Sequence, residues 1–209
     1  MTRPSRNMDR LLIEAGRDMI LEAGLSGLRV RQVSRRAGVN LGMFHYYFKT
    51  KNEFIDKVLQ ETYEEFFSRF NAESSGKDGP HERLKRALVT LARFIRDNRG
   101  LILMLVKDVL DGQKQATSFA KKNAPRHVSI IVELVGQCQK EGVLRKMPLP
   151  FAMSFFLGAI GAPAIMIGIM EKAKAQRPLG RPLDEVKNLM LSDSAILERV
   201  EMVLKVFSV

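Results

Sequence analysis

The chain has 209 residues, enough for one large domain or for a small domain joined to a medium one. Hydrophobic residues make up 45% and charged residues 27%, the balance of an ordinary globular protein, and the single cysteine, Cys138, excludes an internal disulfide and fits a reducing cytoplasm. The formal charge of +11 suits a polyanionic partner, either nucleic acid or an anionic membrane surface, although a merely cationic surface has the same composition.

In chain order, residues 7–23 carry Leu12, Ala15, Met19 and Ala23 at helical spacing, and Gly24 stops the helix. Asp9, Glu14 and Asp18 inside this stretch argue against a signal peptide. A second helix is expected over 30–37, ending at Gly38. Asn40 then caps a third, short helix over 41–47. Thr50-Lys-Asn-Glu53 reads as a capping box for a long fourth helix to about residue 71, with Phe54, Val58, Thr62, Phe66 and Phe70 on its inner stripe. Residues 72–79 read as a linker.

Pro80 suits the first turn of a fifth helix lined by Leu84, Leu88, Leu91, Ala92 and Ile95. An apolar segment, 101–110, follows Gly100, and Gly112 and Pro125 bracket a polar stretch. A helix is expected over 125–141, with Cys138 on its apolar face beside Ile131 and Val135 as a buried structural thiol. After a loop at 142–150 comes a very apolar helix from 151 to about 174. A second loop, 177–182, leads to one last helix, 183–209, with the stripe Ile196, Val200, Val203, Leu204 and Phe207. No alternating strand pattern or internal repeat is present. The fold class is all-α, with about nine helices.

Residues 28–51 carry the first functional signal. Two short helices joined by Ala37-Gly38-Val39-Asn40 follow helix-turn-helix grammar, with Gly38 free to take positive φ. The second of these helices is too short to be stable alone and must be held by packing, through Phe44 and Phe48. Its other side shows Leu41, Gly42, Met43, His45, Tyr46 and Tyr47, with Arg29, Arg31, Arg35, Arg36, Lys49 and Lys51 around it. Residues 1–51 hold 10 Lys/Arg against 4 Asp/Glu, so more than half of the excess charge lies in a quarter of the chain, as phosphate binding requires.

These stretches, Leu12-Ile-Glu-Ala15 with Gly24, Val30-Arg-Gln-Val33, Ala37-Gly-Val-Asn-Leu-Gly42 and Tyr46-Tyr-Phe-Lys-Thr-Lys51, resemble the N-terminal domain of the TetR family of bacterial regulators over residues 10–59. The resemblance implies a three-helix DNA-binding domain, residues 1–52, joined by a long helix to a helical ligand-binding and dimerisation domain, residues 53–209. It implies that residues 41–47 enter the major groove, that Arg31 reaches a base edge, and that Tyr47 and Lys51 meet phosphates. Together with Arg29, Asn40, Leu41, Gly42, Met43, His45, Tyr46 and Lys49, these are the expected DNA-binding residues. The family usually has Thr at the positions of Arg29 and Met43 and Tyr at that of His45. The departures remove a cap from the second helix and leave the operator sequence unreadable. Arg3 and Arg6 suit a minor-groove arm or a disordered tail.

Residues 147–170 contain no charge. By length such a stretch can span a bilayer, or its small residues can pack in a dimer interface built from the last two long helices, as the resemblance implies. The expected interface is Phe156, Ala159, Ile160, Ile196, Val200, Val203 and Phe207. The expected effector pocket, apolar and Met-rich, is Phe94, Met104, Leu105, Phe119, Phe155 and Met166. His45, His81 and His127 are scattered, with no metal-ligand spacing, and no catalytic motif is present. No metal, cofactor, catalytic residue or membrane partner is expected. The expected partners of this cytoplasmic protein are a duplex operator, a small effector and a second copy of the chain. A membrane-associated helical protein and an enzyme on a helical scaffold remain the rival readings.

Overall fold

The computed structural model describes residues 7–209, so the expected arm at Arg3 and Arg6 lies outside the described residues. Ten α-helices and one 3-10 turn are found among them: α1 Met8–Gly27, α2 Val30–Arg36, α3 Leu41–Tyr47, α4 Lys51–Ser74, α5 Pro80–Asp97, α6 Arg99–Leu110, α7 Lys114–Lys140, α8 Leu149–Lys172, the 3-10 turn Pro178–Gly180, α9 Leu183–Leu191 and α10 Asp193–Phe207. The chain divides into two compact units. The first is Met1–Glu65 with Met104–Lys121, and the second is Phe66–Leu103 with Lys122–Val209. The expected first domain, 1–52, falls inside the first unit, which also takes in the first half of α4, the end of α6 and the start of α7.

In the first unit, α1, α2 and α3 pack against one another. Leu12, Ile13, Ala15, Met19 and Ile20 on α1 are buried, whereas Ala23, expected on the same stripe, is exposed. Gly24 leaves helical geometry at φ 73°, ψ 175°, and the chain resumes a last turn to Gly27. The capping residues behave as their chemistry dictates. Asn40 Oδ1 accepts from the Met43 amide at 2.9 Å, and Thr50 Oγ1 accepts from the Glu53 amide at 3.1 Å. The Glu53 carboxylate accepts in turn from the Lys49 amide, one residue before the usual partner of a capping box.

In the second unit α5 packs on α8 and α10, which also pack on each other, and α9 packs on both. Ala164, Ile167, Val186 and Leu191 form one buried cluster, with Ile95 and Met170 against it. Ion pairs tie the helix ends. Arg93 and Arg96 share Asp193, and Arg99 meets both carboxylate oxygens of Glu171 at 2.7 Å. Cys138 is buried and its thiol is pushed up to about 11, chiefly by that burial, so it is chemically quiet.

Two expectations about helix boundaries are corrected. The polar stretch before Pro125 is helical, and α7 runs continuously from Lys114 to Lys140 with Pro125 inside it. Its residues are good helix formers, which outweigh one lost backbone bond. The final helix is two helices. Ser192 takes an extended ψ of 156° and its hydroxyl accepts from the Ala195 amide at 3.3 Å, so a Ser N-cap followed by Asp193 starts α10.

His127 on α7 is packed edge-on against Phe66 and Phe70. Burial, reinforced by the Arg126 charge, lowers its pKa from 6.5 to about 4 against a raising backbone hydrogen bond at Asn123. A folded-state pKa below the unfolded value means stability that is complete above pH 6.5 and lost as pH falls toward 4. Protonation of the unfolded chain should therefore cost about 3 kcal/mol by the bottom of that window. Urea unfolding at pH 7 and 4.5 should show His127→Gln losing less stability on acidification than the parent chain. Equal losses would remove His127 from the acid response.

Candidate nucleic-acid interface

The seven residues of α3 cannot hold a helix unaided. Phe44, fully buried, anchors it. Its ring lies 5.4 Å from Phe48 and 5.0 Å from Phe54, and Phe48 lies 4.8 Å from Phe54. Gly16 on α1 closes the other side of this cluster. A Cβ there would meet Phe54 Cζ at 2.4 Å and Val58 Cγ2 at 3.1 Å. The α1 backbone thus touches the aromatic cluster that carries α3. At the turn, Gly38 has φ 66°, a left-handed conformation that any side chain would strain.

With Phe44 inward, the opposite side of α3 is presented outward. Gly42, His45 and Tyr46 are exposed, Leu41, Met43 and Tyr47 half-buried, and Asn40 is exposed and engaged as the cap. Tyr46 and Tyr47 meet edge-to-face at 5.2 Å, and His45 stands edge-on to Phe44 at 5.5 Å. Burial, then the Asp9 carboxylate and Tyr46, raises the Tyr47 phenol above its usual range, so it stays a neutral hydrogen-bond donor. Arg29, Arg31, Arg35 and Lys49 are exposed around this face.

Two of the surrounding cations are engaged within the protein. Arg36 pairs with Glu22 at 2.8 Å, joining α2 to α1. Lys51 Nζ donates to the Ser26 carbonyl at 3.0 Å, tying the first turn of α4 to the end of α1 beyond the Gly24 break. Burial, then the Arg29 charge, lowers the Lys51 pKa. Sequence reasoning did not find Gln115, at the start of α7. Its Nε2 donates to the Asn52 carbonyl and to Asp56 Oδ1, bracing the same first turn of α4. A lone Gln in a polar stretch gives no signal of such a contact.

The residues expected to line the effector pocket do not share one setting. Met104 is buried in the first unit, and Phe119 meets Tyr63 edge-on at 6.2 Å there, with Leu105 half-buried. Phe94 belongs to the second unit and stacks on Phe66 at 4.2 Å. Phe155 and Met166 are 47% and 41% exposed, so they are surface residues rather than cavity lining. Of the expected interface residues, Phe156, Ile160, Ile196, Val200 and Phe207 are buried within the chain itself and have almost no surface to offer a partner, while Ala159 and Val203 are half-buried. The stripe they form faces inward because α5, α8 and α10 pack together. The helix α8 is long and apolar enough to cross a membrane, with 39% of its most apolar window buried.

Residues 12–58, the three helices of this interface and the start of α4, match the family described as bacterial regulatory proteins, tetR family. Those residues are similar to the family's DNA-binding domain. The HTH-type transcriptional regulator BetI of Klebsiella pneumoniae is 38% identical over 52 residues, 25% of this chain and 27% of that protein, so the match spans about a quarter of the relative's length. The HTH-type transcriptional repressor KstR2 of Mycobacterium tuberculosis is 23% identical over 136 residues, 64% of this chain and 68% of that protein. The solved structure of the ketosteroid regulator KstR2 superposes with a TM-score of 0.70 at 18% identity, covering 99% of this chain and 97% of the other. FadR of Bacillus subtilis, solved in complex with stearoyl-CoA, gives 0.64 at 16% identity, covering 88% and 98%. The structural likenesses show the fold, and the relatives in sequence are named as transcriptional regulators.

Two substitutions test the local architecture. Gly16→Ala gains helix propensity but drives a methyl into a ring already fixed by Phe44 and Phe48, so thermal unfolding should show a net loss of about 1–3 kcal/mol. Arg29, at the N-cap of α2, makes no capping bond. Arg29→Thr should raise stability by up to ~1 kcal/mol.

Proposed function

We propose that the protein is a cytoplasmic, ligand-responsive transcriptional repressor that binds a palindromic operator as a homodimer and is released by a small, mainly apolar effector. The observation that carries this reading is the outward face of α3, held by Phe44 and ringed by the exposed cations Arg29, Arg31, Arg35 and Lys49. In this reading Arg31 pairs bidentately with a guanine edge, Met43 meets an apolar base edge, and Lys49 and Tyr47 hold phosphates. Lys51 reaches a phosphate only by giving up the Ser26 carbonyl, an exchange of one acceptor for a charged one.

Dimerisation is assigned to the apolar surface that the chain leaves exposed. Phe151, Phe155, Met166 and Ile169 recur along one side of α8, and Met202 and Val206 lie exposed on α10, which packs on α8. Exposed apolar residues in this number mark a contact surface. The exposed face of α8 is thereby accounted for without a bilayer. The effector class is inferred from relatives named for fatty acid metabolism, for ketosteroids and for a stearoyl-CoA complex, and from the Phe-rich interior of both units. Effector and DNA then oppose each other through a reciprocal coupling, typically ~1–3 kcal/mol.

Selection of the full-length protein against random duplex DNA should enrich an inverted repeat. On the enriched duplex, Arg31→Ala should weaken binding by about 1–3 kcal/mol and relax preference at one base pair per half-site. An unchanged affinity for Arg31→Ala and Lys49→Ala together would overturn the proposed docking.

A further inference from the structure

The helix-turn-helix does not hold all of the positive charge of this chain. The residues of the first unit hold 14 Lys/Arg against 11 Asp/Glu, a balance of +3, because Glu53, Asp56, Glu61, Glu64 and Glu65 on α4 offset the cations before them. The residues of the second unit hold 20 against 12, a balance of +8. One acid-free run of these cations is the connection from the end of α8 to α9. Residues 172–182 carry Lys172, Lys174, Arg177 and Arg181 and no acid. All four are exposed. Arg181 pairs with Glu185 at an exposed site, and Arg177 reaches only the Gly180 carbonyl, at 3.5 Å. Among nearby acids, Glu171 is already held by Arg99 and Lys187, and Asp184 is exposed at the start of α9.

The same segment breaks two local rules. Lys174 and Leu179 are the non-glycine residues with positive φ among the described residues, at 53° and 55°. Leu179 and Gly180 form a left-handed pair that thrusts the leucine out, 79% exposed. Asn or Gly would suit that backbone better, and a polar side chain would suit the water. A residue that is locally wrong in both conformation and polarity, at the tip of a cationic loop, marks a contact.

We propose that this loop is a second duplex-DNA contact, independent of the helix-turn-helix, in which the four cations meet phosphates and Leu179 packs against the floor or edge of the groove. Proteins that bind DNA without base readout combine cations with an apolar wedge in this way. An anionic bilayer fits less well. A single leucine is far smaller than a myristoyl chain, which itself gives only marginal membrane binding. The exposed Arg181–Glu185 pair opens at little cost to give Arg181 to a phosphate.

The test uses the full-length chain carrying Arg29→Ala, Arg31→Ala, Arg35→Ala and Lys49→Ala, so that the helix-turn-helix contributes little, with sonicated mixed-sequence duplex as the probe. Residual binding should persist with a log–log salt slope of about −3 to −4, near −0.9 for each phosphate contact. Adding Lys172→Gln, Lys174→Gln, Arg177→Gln and Arg181→Gln should bring that slope close to zero. In the otherwise unaltered chain the same four changes should leave selection of the operator repeat intact, which separates this proposal from the operator reading. Leu179→Asn should raise the melting temperature, by relieving the backbone, while weakening residual binding severalfold. An unchanged slope in the loop variant would overturn the proposal, as would a lower melting temperature for Leu179→Asn, which would make the leucine a packing residue. Loop-dependent binding to phosphatidylglycerol vesicles without loop-dependent binding to duplex would also overturn it, in favour of a membrane contact.

Discussion

The outward face of α3 depends on one packing arrangement, the contact of Phe44, Phe48 and Phe54 with the backbone of α1 at Gly16. A helix of seven residues makes only about two turns, so its order must come from tertiary contacts. The rings supply those contacts on one side, and the Asn40 cap satisfies an amide that helix formation leaves open. Everything the family's chemistry requires of the other side, exposed cations and half-exposed apolar atoms, follows from which side the rings occupy. Glycine at position 16 is a consequence of the same contact, since the ring of Phe54 fills the space of a Cβ.

The first turn of α4 extends this arrangement. Lys51 holds the Ser26 carbonyl, Glu53 caps the turn through Lys49, and Gln115 reaches the Asn52 carbonyl. The end of α1, the start of α4 and the start of α7 thus share hydrogen bonds inside one compact unit.

The parts of the fold legible in the sequence are those written in local chemistry. Gly38, Asn40, Thr50 and Glu53 are turn and cap residues whose roles depend on neighbours within four positions, and α2, α3 and the start of α4 lie where they predict. The break at Ser192 uses the same chemistry but sits within a continuous apolar stripe, where periodicity masks a cap. Pro125 misleads in the opposite sense, since a proline is tolerated when the flanking residues favour helix. Faces are harder still to assign. Ile196, Val200 and Phe207 and the exposed Met202 and Val206 lie on one helix with similar chemistry, and only the packing of α5 and α8 decides which set is buried. Charge density along the sequence likewise pointed to residues 1–51, whereas folding joins that stretch to the acids of α4 and leaves most of the excess in the second unit.

The aromatic cluster, and not intrinsic helix propensity, holds α3 in place. Amide hydrogen exchange of Phe44→Ala beside the parent chain tests it most directly. The amides of residues 44–48 should exchange far faster in the variant, while those of α5, α8 and α10 keep their protection, because they belong to the other compact unit. Unaltered protection across residues 44–48 in a folded Phe44→Ala chain would contradict it.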